Sequence, residues 1–279
     1  MMRSLLTITH LTLHEALRRR ILLASLLGGA AFLAVYAVGF HFVAKEAEGH
    51  ARISLIEKRV ILTMFTLAGL YVVNFLMLIS AVLLPVDTLS GEIASGVMQT
   101  LASKPVRRSE IVLGKWLGHW LVMAGYLALL AGGVLAIARL RGHFTLPGVA
   151  TGIPLMLLEG SVMLSLSISG GARLSTITNG IVAFGFYGVA FIGSWIEQVG
   201  THVGNDATRV IGTIASLIMP TEAMWQRAAH FMQPQLMAQL AASPFSPASV
   251  PSEAMVWWAA GWAVATLGFG IAGFRRRVL

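Results

Sequence analysis

Val60-Ile-Leu-Thr-Met-Phe-Thr-Leu-Ala-Gly-Leu-Tyr-Val-Val-Asn-Phe-Leu-Met-Leu-Ile-Ser-Ala-Val-Leu-Leu84 runs for 25 residues without a Lys, Arg, Asp or Glu. A hydrocarbon core about 30 Å thick is crossed by about 20 helical residues, so this stretch is long enough to span a bilayer. Lipid offers no hydrogen-bond partner to a bare peptide group, and the apolar/polar alternation of a barrel strand is missing, so the stretch must be a helix. Five further runs read the same way: Ile21 to Phe42, Trp116 to Ile137, Val149 to Ser169, Thr178 to Glu197 and Met255 to Phe274. The fold class is therefore an all-α polytopic membrane protein with six transmembrane helices. The composition, 56% hydrophobic and 11% charged over 279 residues, excludes a soluble domain or a stand-alone ATPase.

The first span follows Arg18, Arg19 and Arg20 and lacks a small-residue cleavage site, so it reads as a retained span rather than a signal peptide. An even number of spans puts both ends on one side, and the Arg18 to Arg20 and Arg275 to Arg277 triplets put that side in the cytoplasm. Twelve Lys and Arg residues then fall inside and eight outside. Four of the eight, Lys45, Arg52, Lys58 and Arg59, crowd the 43–60 loop, which could instead extend spans one and two as helix. The formal charge of +8 is a matter of loop distribution, and no nucleic-acid role is needed. With no cysteine there is no disulfide, thiol nucleophile or thiolate metal site.

Residues 1–20 carry Leu5, Ile8, Thr9, Thr12, Leu13, Ala16 and Leu17 at helical spacing, with Arg3, His10, His14 and Arg18 on the other side. This predicts an interfacial elbow helix, apolar stripe toward lipid and cations toward phosphate. In the outer segment, 198–254, Val210, Ile211, Ile214, Leu217 and Ile218 repeat at helical spacing, and Pro220 breaks the run. Thr221 can cap a second helix bearing Met224, Trp225, Ala228, Phe231 and Met232. Two short helices at the outer surface, roofing the spans or dipping into the outer leaflet, are expected. Pro234, Pro244, Pro247 and Pro251 mark an irregular return to span six.

The stretch between spans two and three, 85–115, is polar enough to leave the bilayer and patterned enough to fold. Pro105 should end a short helix near Lys104, with Lys104, Arg107 and Arg108 complementing its C-terminal dipole. Gly91, Glu92, Gly96, Leu101, Pro105, Arg107 or Arg108, Gly114 and Lys115 follow in this segment. In these residues the chain resembles the permease subunits of ABC-2-type transporters, and it departs at Val97-Met98, where Thr-Leu is commoner.

The resemblance implies that the segment is a coupling helix docking in a cleft of a separate ATPase. Its contact would be made by Glu92 and the 91–104 segment, with Asp87, Gly91, Gly96, Leu101, Pro105, Arg107, Arg108 and Lys115 around it. It extends to the elbow helix, the six spans and the paired outer helices. Through Ala172-Arg-Leu-Ser-Thr, Trp195-Ile-Glu-Gln and Ser216-Leu-Ile-Met-Pro the chain is similar to permeases grouped with multicopper-enzyme maturation, including the nitrous oxide reductase maturation type. It implies an ATPase dimer as partner, holding ATP and Mg, and a second permease copy or a relative. It further implies membrane lipid around the spans, a periplasmic accessory protein as a candidate, and a bacterial inner-membrane location. The chain is expected to carry no cofactor and no nucleotide site, because Lys45, Lys58, Lys104 and Lys115 are followed by Glu, Arg, Pro and Trp and no P-loop can form.

Glu159 is the carboxylate deepest inside a span, where a charge costs a few kcal/mol, so it should face the bundle interior or be protonated. It either lines a translocation path or dimer seam or bonds a neighbouring helix; Asn74 and Asn179 are weaker candidates for the same role. His202, Met219, Met224, His230, Met232 and Met237 combine thioether and imidazole, which suits Cu(I). Met224 and Met232 lie on the apolar stripe, however, where packing is the default, and no metal site is assigned. Ser167-Ile-Ser169-Gly170 lacks the first glycine of a rhomboid motif and an intramembrane His base, and no His-Glu-x-x-His is present. The function expected is an ATP-driven exporter subunit; the alternative is a proton-coupled secondary transporter or channel using Glu159.

Overall fold

The computed structural model describes residues 2–49, 54–96, 98, 106–234 and 249–276. Among these it is built of α1 (Met2–Arg18), α2 (Arg20–Gly49), α3 (Leu55–Leu83), α4 (Ser90–Ala94), α5 (Arg108–Gly142), α6 (Val149–Gly171), α7 (Thr176–Val203), α8 (Asp206–Ile218), α9 (Thr221–Phe231) and α10 (Glu253–Arg276), with no strand. Six of these, α2, α3, α5, α6, α7 and α10, are long and apolar enough to cross a membrane, one for each expected span. The helices overrun the apolar runs. Much of the 43–60 stretch is helix: α2 continues to Gly49, and α3 starts behind Ser54, whose Oγ accepts from the Glu57 N–H at 3.1 Å while the Glu57 carboxylate accepts from the Ser54 N–H at 2.8 Å. That reciprocal cap satisfies two amides the helix start would leave bare.

The core lies between α3 and α6, where Leu67, Leu70, Val73 and Met77 meet Met156, Val162, Met163 and Ile168, all fully buried. Helix α2 seats on α3 and α5 through large residues over glycines. A Cβ added at Gly69 would stand 2.5 Å from the Tyr36 ring, and one at Gly133 2.8 Å from Leu33. In lipid there is no hydrophobic drive between helices, so such close fits supply the attraction. The opposite faces expose Leu23, Leu27, Val35 and Val38 on α2, Ile181 and Ile192 on α7, and Trp257 and Val264 on α10. These are the lipid-facing surfaces.

Helix α1 forms where the stripe predicts it, but its stripe is covered by protein. Thr9, Thr12 and Ala16 are buried, and the helix lies against the start of α5: Cβ atoms at Gly114 and Gly118 would come within 2.7 Å of Ile8 and Thr12. Leu17 of the stripe stays exposed, as do the apolar Leu6 and Leu11. The last turn of α10 lies at the same end of the bundle, since Arg108 donates to the carbonyls of Phe274 and Arg275 at 3.3 and 3.0 Å.

The pair α8–α9, expected either to roof the spans or to dip inward, turns back among the long helices. Cβ atoms at Gly200, Gly212 and Gly193 would collide with Thr208, Glu197 and Ala215, so α8 runs back along α7 antiparallel to it. Tyr187, near the middle of α7, donates to Glu222 Oε1 at 3.1 Å. Helix α9 then returns to the end it came from, with the Phe231 carbonyl pressed on Gly148 and Met232 on Gly152 at the start of α6. Gly148 has φ +61, and its missing Cβ would sit 2.0 Å from the Phe231 oxygen, so both conformation and space demand glycine. The pair is a re-entrant hairpin with Pro220 deep in the bundle. Its α8 buries Gly212, Ala215 and Ser216 and exposes Val210, Ile211, Ile214, Leu217 and Ile218, the reverse of a water-soluble amphipathic helix. Thr221 is the first residue of α9 rather than its cap, which is Pro220.

Candidate functional sites

The first polar cluster surrounds α4. Pro85 and the turn after α3 lead into five helical residues, ended by Gly96 in the left-handed region at φ +76. Asp87 accepts an ion-paired hydrogen bond from Arg19, which also pairs with Glu15 on α1. Glu92 pairs with Lys115, about two turns into α5, and Lys115 is 3% exposed. His119, a turn further, is buried with Nδ1 at 2.9 Å from the Lys115 carbonyl and Nε2 at 3.3 Å from Thr88 Oγ1. Ser90 bonds Thr176 at the head of α7 at 2.8 Å, and Asn179 Nδ2 donates to the Val86 and Ser167 carbonyls at 3.2 and 2.7 Å. Burial would raise the Glu15 carboxyl, but the Arg19 hydrogen bond and charge, with Lys115 and His119 beyond, outweigh it and hold Glu15 below its ordinary value.

Of the residues singled out in the sequence, this cluster gathers Asp87, Glu92 and Lys115 and turns their charges inward. Arg108, the first residue of α5, donates to the carbonyls at the C-terminus of α10. Residues 108–115 belong to the third long helix and not to a separate knob. Gly91 faces Asp87 at ordinary contact distance, and Gly114 makes the close approach to α1. Leu101, Lys104, Pro105, Arg277 and Met237 lie outside the described residues. Among the described residues of this segment, Ala94, Ser95 and Arg107 are exposed. A displacement of this turn must move α1, α5 and the head of α7 with it, since each is tied to it by a named bond.

The second cluster lies at mid-bundle. Glu159 is 0% exposed and its Oε2 accepts from Asn74 Nδ2 at 2.9 Å, while Glu159 Oε1 and Asn74 Oδ1 are buried without a partner. Glu222 is buried at the same level of the bundle: it accepts from Tyr187 at 3.1 Å, and the Tyr187 ring lies 6.3 Å from that of Phe75, the neighbour of Asn74. Gln226 donates to Ser194 at 2.9 Å, and Trp225 stacks near Tyr71 with ring centroids 5.1 Å apart. Asn74 and Glu159 are thus brought together, and Asn179 is not; it serves the α4 end. Sequence reasoning missed Arg19, Thr88, His119, Tyr187 and Glu222 as members of these clusters. The signal for Glu222 was a carboxylate two residues past Pro220 in an otherwise apolar stretch. Met224 and Met232 are fully buried, and Met232 fills the space over Gly152.

A bundle so built is a polytopic α-helical membrane protein whose buried charges are gathered at one end and at its middle. Its family is narrower: the chain belongs to the ABC-2 family of transporter proteins, whose pattern matches residues 7–279. It is similar to the probable ABC transporter permease protein NosY of Stutzerimonas stutzeri, 36% identical over 166 residues, covering 58% of this chain and 54% of that protein. It is also similar to the NosY of Pseudomonas aeruginosa, 33% identical over 179 residues, covering 61% and 60%. The matched part thus spans between half and two-thirds of each relative's length. Both are permeases of the group that residues 172–176, 195–198 and 216–220 resemble.

Proposed function

We propose that this chain is the transmembrane subunit of an ATP-driven exporter, moved by a separate ATPase dimer that docks against the exposed rim of the α4 turn. Membership of the ABC-2 family over nearly the whole chain carries the reading. The α4 cluster supports it, because the turn is bonded to three helices and can pass a push from one end into the bundle. ATP and Mg belong to the ATPase, and this chain hydrolyses nothing. An ATPase dimer presents two docking sites, so two copies of this permease, or one with a related chain, complete the complex. The α4 end, with α1 and the arginines of α10, faces the cytoplasm across a bacterial inner membrane, and α1 lies at the headgroup level. The hairpin end faces outward, where a periplasmic accessory protein would meet it.

The docking contact moves from Glu92 to its neighbours, since Glu92 is engaged by Lys115 and the surface is offered by Ala94, Ser95 and Arg107. Co-expression with the P-loop ATPase from a neighbouring reading frame, followed by purification on this chain, tests the reading. The ATPase is expected to co-purify, and Ser95→Trp should reduce its recovery at least about tenfold without altering the melting of the permease alone. Full recovery with Ser95→Trp moves the docking site elsewhere. Absence of any ATPase partner favours the proton-coupled alternative.

A further inference from the structure

We propose that Glu159 and Glu222 form an intramembrane proton-binding site whose occupancy decides whether the α8–α9 hairpin is seated in the bundle. The hydrogen-bond inventory is the starting point. Asn74 Nδ2 and the Tyr187 hydroxyl are the donors bonded to the two carboxyl groups, at 2.9 and 3.1 Å. Against them stand four carboxyl oxygens and Asn74 Oδ1, and two of these acceptors, Glu159 Oε1 and Asn74 Oδ1, are buried with nothing to accept from. Two acceptors cannot satisfy each other. One proton on the pair supplies the missing donor, and it also removes the repulsion between two like charges taken out of water.

Among the described residues, the surrounding elements offer no other counter-charge. Helix α3 presents Asn74 and Tyr71, α7 presents Tyr187, and α9 presents Glu222 with Gln226, which is spent on Ser194. On α5, His119 is held by the Lys115 carbonyl and Thr88 toward the α4 end, and α10 has its charged residues only in its terminal turns. No Lys, Arg or His bonds either carboxylate among the described residues. Nor is the site roomy: a Cβ at Gly160 would already stand 2.7 Å from Met123 Sδ and 3.1 Å from Met77 Cε. A proton needs no space, whereas a hydrated cation does.

The two acids sit on different bodies, and this makes the site a switch. Glu159 belongs to the central helix α6; Glu222 belongs to a hairpin that enters from one end and is bonded near its tip by Tyr187 to Glu222, by Gln226 to Ser194 and by Trp258 to the Leu217 carbonyl at 3.0 Å. Losing the proton sets two buried negative charges against each other and drives the hairpin outward. Gaining it seats the tip and closes that half of the bundle. The inference holds with or without an ATPase, so it stands or falls separately from the function proposed above.

The full chain in lipid nanodiscs tests it directly, because its lack of native cysteine allows clean labelling. Spin labels at Thr213→Cys, on the exposed face of α8, and Leu140→Cys, at the end of α5, report the hairpin distance between about pH 5 and about pH 9. The expected result is a shift completed over about two pH units, as one proton requires. The Glu159→Gln/Glu222→Gln double variant, which keeps size and hydrogen bonding while remaining neutral, should hold the low-pH distance throughout. An infrared carboxylic-acid C=O band present in the parent and lost in Glu159→Gln or Glu222→Gln is the second readout. A pH-independent distance, a shift that persists in the double variant, no such band, or a shift that follows cation concentration at fixed pH each overturns the proposal.

Discussion

The two buried polar clusters differ in how their charges are answered. At the α4 end the carboxylates around the turn have cations: Asp87 and Glu15 share Arg19, and Glu92 has Lys115, while Glu110 nearby accepts from the Ser4 hydroxyl. At mid-bundle, the described bonds to Glu159 and Glu222 come from an amide and a phenol, with no cation. A cluster with its charges matched has one low-energy arrangement and resists being pulled apart, which suits a part that must carry force. One with unmatched charges has an arrangement that depends on what else binds, which suits a part that must change. Pairing is thus what separates a strut from a switch here: Glu92 and Glu159 both lie on helices, and the first has a cation while the second has an amide.

The strut can be broken most severely at Lys115. Lys115→Met keeps the length and packing of the side chain and leaves Glu92 charged, 15% exposed and without its cation. Breaking a buried pair from one side costs about 3–5 kcal/mol, so detergent-solubilised protein should unfold at markedly lower denaturant. The swap Lys115→Glu with Glu92→Lys should recover part of that loss. Stability unchanged by Lys115→Met would remove the strut. A smaller loss, about 1–3 kcal/mol, is expected for Asn74→Leu, which strips Glu159 of its donor but no ion pair. Equal losses in the two variants would erase the distinction drawn between the clusters.

The six spans were legible because length without charge is a one-dimensional property, and Val60 to Leu84 needs no partner to be read. The direction of α8 was not. Val210, Ile211 and Ile214 recur at helical spacing, and in water such a stripe faces the protein; in lipid the large side chains face outward and Gly212 and Ala215 turn inward. Asp87, Glu92 and Lys115 were found through the family's pattern, yet what they do was hidden, because Arg19 meets Asp87 across 68 residues of chain. Asn179 was grouped with Glu159 as a polar residue in a span, but only the fold reveals that it bonds the carbonyls of Val86 and Ser167.

Acid separates the two clusters by sign, and here the expected effect is smallest. Glu15 is held below its ordinary value, so its pairing contributes fully above the unfolded carboxylate range and is lost as pH falls through the folded value. Its side chain is 46% exposed and Arg19 20%, which puts the contribution in the range of surface pairs, about 0–1 kcal/mol. Below about pH 4, hydrogen exchange corrected for intrinsic rate should therefore rise modestly in residues 2–18. Glu15→Gln should remove that dependence while leaving exchange at neutral pH slightly raised. At higher pH, as it falls from about 9 to about 5, α8 and α9 should become better protected, since a proton seats the hairpin. Exchange that rises together in both regions would mean that acid loosens the bundle as a whole, and the opposition of strut and switch would fail.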